Sequence, residues 1–313
     1  MSGTLTIVLP VFGLVLLGYL VGRTRLLSEE GMRGINTFVF YVAIPALLFR
    51  ATSRLALPNA AEAGVVLAYF SACLIVFFAA CLIGRFAFAL PLDEQAIMGM
   101  GATYSNGVLL GIPVILAALG EAALFPLMLI LSVHALILFT LPTVTIELAR
   151  GGGGHVGRIA VQAGKSLLRN PVILALAAGL AYSATGLELT PPLVGLLDLL
   201  RGAAAPTALF IVGASLTGFR VAGDLRQSLT ITALKLFVLP AVVWLMASHV
   251  FVVPPRAVAV ATVLAAMPSG VNVFLLARQF DVSVARAAAA VLISTAVSVL
   301  TIAALIALLG PVG

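Results

Sequence analysis

Runs of about twenty apolar residues, the length a helix needs to cross a bilayer, recur from one end of the 313-residue chain to the other, separated by short polar connections. The runs are continuous in hydrophobicity, where the strands of a membrane barrel would alternate, so the pattern predicts an all-α membrane protein. Ten transmembrane spans are predicted, at 4–22, 35–52, 62–84, 95–119, 122–147, 170–186, 192–218, 228–252, 256–279 and 283–309. Pro45 falls inside the second and Pro206 inside the seventh. The first span lacks a basic leader and outruns a signal h-region, so it reads as a retained helix.

Two spans carry loop-like punctuation within their apolar run. The fourth contains Gly101-Ala102-Thr103-Tyr104-Ser105-Asn106-Gly107-Val108-Leu109-Leu110-Gly111-Ile112-Pro113, and the ninth contains Met267-Pro268-Ser269-Gly270-Val271-Asn272. Asn-Gly is a turn signal, and the nearby glycines and prolines disfavour an unbroken helix. Lipid does not accept unpaired backbone groups, so each break must be buried in protein or line a wet cavity. A pair of interrupted spans in corresponding places of two halves points to a transporter's binding site.

The halves themselves are legible as a repeat. Pro10 and Gly18 correspond to Pro171 and Gly179 at an offset of 161, as does Pro45-Ala46-Leu47-Leu48-Phe49 to Pro206-Thr207-Ala208-Leu209-Phe210. Ser105 corresponds to Ser269 at 164. The predicted organisation is a first five-helix repeat over 1–148, a connecting loop over 149–169 and a second five-helix repeat over 170–313. Five helices is an odd number, so the copies enter the membrane from opposite sides and form an inverted repeat, with the broken helices 4 and 9 crossing.

Composition sharpens this reading. The chain is 62% hydrophobic and 9% charged, against roughly 25% charged in soluble domains. Its net charge of +6 sits in the connections, where it orients the protein and meets anionic lipid rather than nucleic acid. Twelve Lys and Arg follow the odd spans and three follow the even ones. The 149–169 loop is therefore expected in the cytoplasm and both termini outside, in the plasma (inner) membrane. Cys73 and Cys81 share one span and read as free thiols.

At each break a helix begins in mid-membrane, presenting free N–H groups and a positive dipole end. Such ends suit an anion, above all a carboxylate. Gly107, Gly111 and Gly270 mark these helix starts, with Ser105 and Ser269 beside them. Asn106 and Asn272 add amides that either donate to a carboxylate or cap the helix. Pro113 and Pro268 hold the chain out of regular helix.

The run Asn106 to Pro113 resembles the helix-4 motif of the auxin efflux carrier family. Met267 to Asn272, continuing through Leu276-Ala277-Arg278 to Ser294-Thr295, is similar to that family's last two helices, and Lys235 with Pro240 fits its eighth. The resemblance covers the whole chain. Val108 stands where an aromatic is common, and the long loop of plant members is absent, which points to the bacterial branch. The resemblance implies a secondary transporter of organic anions such as auxin, malonate or malate, similar in fold to bile-acid transporters and sodium/proton antiporters. It further implies that helices 1, 2, 6 and 7 form a dimerising scaffold, that helices 3–5 and 8–10 move, and that Asn106 and Asn272 contact the substrate carboxylate.

Other polar residues inside the spans invite a role. His134 either carries a coupling proton or bonds a neighbouring helix. Tyr104 either gates the cavity or packs. Lys235, expected near the cytoplasmic end of its helix, either snorkels or attracts the anion, and stands with His134 and Tyr104 as a candidate for coupling or gating. Asp198 and Arg201, three apart, share a helix face and read as a structural pair, or one on the water-exposed side of a dimer contact, rather than a substrate clamp. Ser294, Thr295 and Ser298 read as small packing contacts. An intramembrane hydrolase is disfavoured, because Ser132 and His134 are two apart on a helix and no Gly-x-Ser-x-Gly occurs. A cation/proton antiporter of the same fold is argued against by the missing pair of mid-membrane carboxylates. No Walker motif, metal-ligand pattern or cofactor motif is present in the sequence.

Overall fold

The computed structural model describes residues 2–24, 26–53, 60–151, 169–219 and 223–309, with side chains from Leu9 onward in the first segment and from Gly64 in the third. Most of the predicted 149–169 connection, with Arg158 and Lys165, lies outside the described residues, as do Arg25, Arg54 and Arg220.

Among the described residues the chain is helical throughout. The helices are α1 (Ser2–Arg23), α2 (Glu29–Thr52), α3 (Ala60–Phe88), α4 (Leu92–Thr103), α5 (Gly107–Leu119), α6 (Glu121–Ala149), α7 (Pro171–Ala184), α8 (Pro191–Gly218), α9 (Leu225–Val250), α10 (Pro255–Ala265), α11 (Val271–Phe280) and α12 (Val284–Leu309). Six of them, α2, α3, α6, α8, α9 and α12, are long and apolar enough to cross a membrane; α5, α7 and α10 are shorter apolar helices. The starts follow from capping chemistry. Ser28, Asn170 and Asp224 each accept an N–H from the first turn of α2, α7 and α9, satisfying donors that a helix start leaves open.

Three prolines shape helices without ending them. Pro45, Pro113 and Pro240 each follow a wide turn, Val39–Ala43, Gly107–Gly111 and Leu234–Val238. In each, the residue before the proline bonds a carbonyl five back: Ile44 to Val39, Ile112 to Gly107, Leu239 to Leu234. A proline ring clashes with the carbonyl four residues earlier, and the wide turn swings that carbonyl aside. Pro113 is therefore not a break, contrary to the sequence expectation. It lies within the continuous α5, and the interruption is at Tyr104–Asn106.

Packing sorts the helices into two groups. α1 lies along α8, and α2 lies against α7 and α8. These contacts are backbone-close: a Cβ on Gly18 would sit 1.9 Å from the Phe210 carbonyl oxygen, and one on Gly179 3.0 Å from that of Phe49. The second group is α3, α4 and α6 with α9 to α12. Its core includes Tyr69, Phe77, Ile97, Met100 and Leu124. α5 lies between the groups, touching α1 and α8 on one side and α6 and α10 on the other.

Candidate functional site: two interrupted helices that meet

The two breaks touch. Ser105 and Ser269 form an isolated antiparallel bridge. Asn106 N–H donates to the Pro268 carbonyl at 2.9 Å, and Gly270 N–H donates to the Tyr104 carbonyl at 2.9 Å. Two backbones that leave helix at mid-length thus satisfy each other, as buried polar groups must.

At the first break Asn106 adopts φ −73°, ψ 63°, and Gly107 N–H reaches the Ser105 carbonyl at 2.8 Å. That is an inverse γ-turn, the tightest reversal available. The Asn106 carbonyl then accepts from Leu110 and Gly111. The side-chain amide of Asn106 caps no helix and has no hydrogen-bond partner among the described residues. At the second break the Asn272 amide donates to the Tyr104 hydroxyl at 2.7 Å. Neither asparagine caps its own helix.

The geometry reassigns several expected ligands. Gly107, Gly111 and Gly270 each spend their N–H on a backbone carbonyl. Their role is space: a Cβ on Gly107 would lie 2.7 Å from Leu131 Cδ2, and one on Gly270 2.9 Å from Tyr104 Cδ1. At the helix starts, the N–H groups with no partner among the described residues are the next ones along, those of Val108 and Leu109 in α5 and of Val271 and Asn272 in α11. Ser105 and Ser269 are buried and committed. The Ser269 hydroxyl donates to the Gly101 carbonyl at 2.7 Å, and its N–H donates to Ser294 Oγ at 3.1 Å. The Ser105 hydroxyl lies between Tyr69 Oη at 3.1 Å and Lys235 Nζ at 2.9 Å. Both serine hydroxyls are engaged in holding the crossing.

Lys235 does not snorkel. It is fully buried beside the crossing, in the wide turn of α9, and its ammonium also donates to the Ala265 carbonyl. The expectation failed because spacing places a lysine along a helix but not around it. His134 is likewise buried, in a ring of aromatics: Tyr104 at 4.8 Å, Tyr69 at 5.9 Å and Phe70 at 6.4 Å between centroids. Its Nε2 has no partner among the described residues, so it does not bond a neighbouring helix through that atom. Asp198 and Arg201 do not pair with each other. Asp198 pairs with Arg50 at 3.0 Å and Arg201 with Glu121, because each finds its partner across a helix interface. Cys73 and Cys81 are free thiols.

Sequence reasoning passed over Tyr69, whose hydroxyl reaches the Ser105 hydroxyl; one tyrosine in an apolar run carries no signal of its own. It also passed over the Arg286 guanidinium, which joins Glu94 on α4 to Gln227 on α9.

Broken helices meeting inside a bundle of membrane-length apolar helices define a multi-pass membrane transport protein. Comparison with known proteins agrees: residues 4–306 match the family described as membrane transport protein, and the chain belongs to it, the family of the auxin efflux carriers. It is 33% identical over 303 residues to a Rhizobium meliloti protein named "Putative malonate transporter", covering 97% of this chain and 95% of that one. It is 26% identical over 306 residues to an "Uncharacterized transporter" of Methanothermobacter thermautotrophicus, covering 96% of each. A 25% match over 254 residues joins 74% of this chain to 28% of the mouse "Lysosomal cholesterol signaling protein". The chain is a transporter of a small molecule and not an enzyme.

Proposed function

We propose that the protein is a secondary transporter of small organic anions, carboxylates such as malonate, malate or auxin-like acids, working by alternating access around the crossing. The observation that carries this reading is the pairing of unspent donors at the breaks. The N–H groups of Val108 and Leu109 open α5, those of Val271 and Asn272 open α11, and the Asn106 amide stands beside them with no partner among the described residues. Helix starts of this kind stabilise a negative charge by dipole and hydrogen bond together. The name of the Rhizobium meliloti relative supports a dicarboxylate.

In this reading the chain crosses the membrane ten times as a 5+5 inverted repeat, with 1–148 and 170–313 as its halves and α4–α5 and α10–α11 as the broken pair. The supporting contact is reciprocal: Gly18 of the first half meets Phe210, and Gly179 of the second meets Phe49, the same residues that the 161 offset equates. α1, α2, α7 and α8 are the scaffold and the dimer contact, and the remaining helices carry the site past it. Both termini lie outside and the 149–169 loop in the cytoplasm. His134 and Tyr104 flank the site, Tyr104 through its bond to Asn272.

Uptake of radiolabelled malonate, malate and indole-3-acetate into proteoliposomes tests this. Wild-type protein should carry at least one of them. Asn106→Ala and Asn272→Ala should each lower its uptake about tenfold or more, the worth of a hydrogen bond to a charged group, while eluting from size exclusion as wild type does. Undiminished uptake by both variants overturns the site.

A further inference from the structure

A broken helix has two ends at its break, and they differ in sign. The starts of α5 and α11 are positive; the ends of α4 and α10 are negative, because their last carbonyls lack helical partners. Transporters built on broken helices bind the coupling Na+ or proton at such C-terminal ends and unwound carbonyls. Here that place is taken. Lys235 Nζ donates to the Ala265 carbonyl, the last residue of α10, and to Ser105 Oγ, within the break after α4. The side chain is fully buried, and among the described residues no carboxylate pairs with it. The local backbone is adapted to bring it there. Lys235 lies in the wide turn Leu234–Val238, and one turn earlier Ile231 packs directly on Gly101, where a Cβ would be 2.8 Å away.

We infer that Lys235 is a tethered cation occupying the coupling-ion position, so that the crossing is charge-balanced at its negative ends by the chain itself and needs no dissolved Na+ to hold its shape or bind its anion. The inference rests on the crossing being the transport site for its uptake arm only; its stability arm does not depend on which substrate is carried.

The experiment compares purified wild type, Lys235→Gln, Lys235→Met and Lys235→Arg in choline chloride, NaCl and LiCl of equal ionic strength, reading melting temperature in detergent and malonate uptake in proteoliposomes. Gln keeps donors without the charge, Met keeps neither, and Arg keeps the charge. Wild type should melt at one temperature in all three salts and take up malonate within about twofold across them. Gln and Met should melt several degrees lower in choline, and Gln should regain part of that loss in NaCl or LiCl as a free ion enters the vacated place. Arg should melt nearest to wild type. A wild type that is stabilised by Na+, or whose uptake rises about tenfold with it, overturns the inference. So does a Gln variant that melts and transports like wild type in choline, which would make the amine a mere hydrogen-bond donor. If Gln and Met do not purify, a folded Arg variant supports the inference, and the wild-type salt series still decides it. Absence of uptake of malonate, malate and indole-3-acetate alike by wild type would count against the proposed function and leave the melting result standing.

Discussion

Gly213 has room for a hydrogen and nothing more. A Cβ there would lie 1.8 Å from the Val15 carbonyl oxygen, and on the facing helix a Cβ on Gly18 would lie 1.9 Å from that of Phe210. Both obstacles are backbone, which cannot turn away as a side chain can. Small residues that let backbones approach are the main source of helix association where lipid removes the hydrophobic drive. Gly213→Ala must push α1 and α8 apart along their whole contact. Overpacking of this kind costs about 1–3 kcal/mol, and the melting temperature of the purified protein should fall by several degrees. Gly202→Ala, on the same helix but with open space around it, should leave the melting temperature unchanged. Equal behaviour of the two variants would show that the contact does not limit stability.

At the scale of elements, the sequence marked where chain leaves helix better than it marked how. The Asn-Gly pair and Pro268 located both interruptions, since each residue there is a poor helix former for a local reason that a sequence carries. Pro113 looked equivalent to Pro268, yet it is absorbed by a wide turn, as Pro45 and Pro240 are. That outcome depends on whether neighbouring helices leave room for the bulge, which no local pattern records. The same limit hid the partners of Ser105, Ser269 and Lys235, all supplied by residues distant in sequence. Asn106 and Tyr104 were recognisable because their position in the break alone sets them apart. The wide turn of α9 gives the element its own test. With Pro240→Ala the clash that favours the turn is gone, and Leu234–Val238 can tighten to a regular helix, turning Lys235 away from Ser105. Malonate uptake should fall about tenfold with a smaller effect on melting. Retention of full uptake would separate the turn from the placement of Lys235.

For the whole molecule, what matters is which ion pairs lie within one packed group and which join the two. Arg286 ties Glu94 of α4 to Gln227 of α9, all inside the second group, with Asp224 capping α9 and bonding Gln227 at 3.0 Å. Arg50–Asp198 lies inside the first group. Arg201–Glu121 alone among the described ion pairs joins α8 of the first to α6 of the second. If the groups slide past each other in transport, a bond inside a group survives the whole cycle, whereas one between groups is present in one state and broken in the other. The first kind then contributes to stability and the second to the balance of states. Arg286→Gln strips a half-buried network of its cation and should lower the melting temperature by several degrees. Glu121→Gln removes a partly exposed pair worth about 0–1 kcal/mol, so melting should barely move, while the initial rate of malonate uptake should change by up to about fivefold. Exchanging the charges in Glu121→Arg with Arg201→Glu should return that rate towards wild type, because the bond between groups is rebuilt with its sign reversed. A double variant no better than the worse single one would show that these side chains act separately and that the pair does not weight the two states.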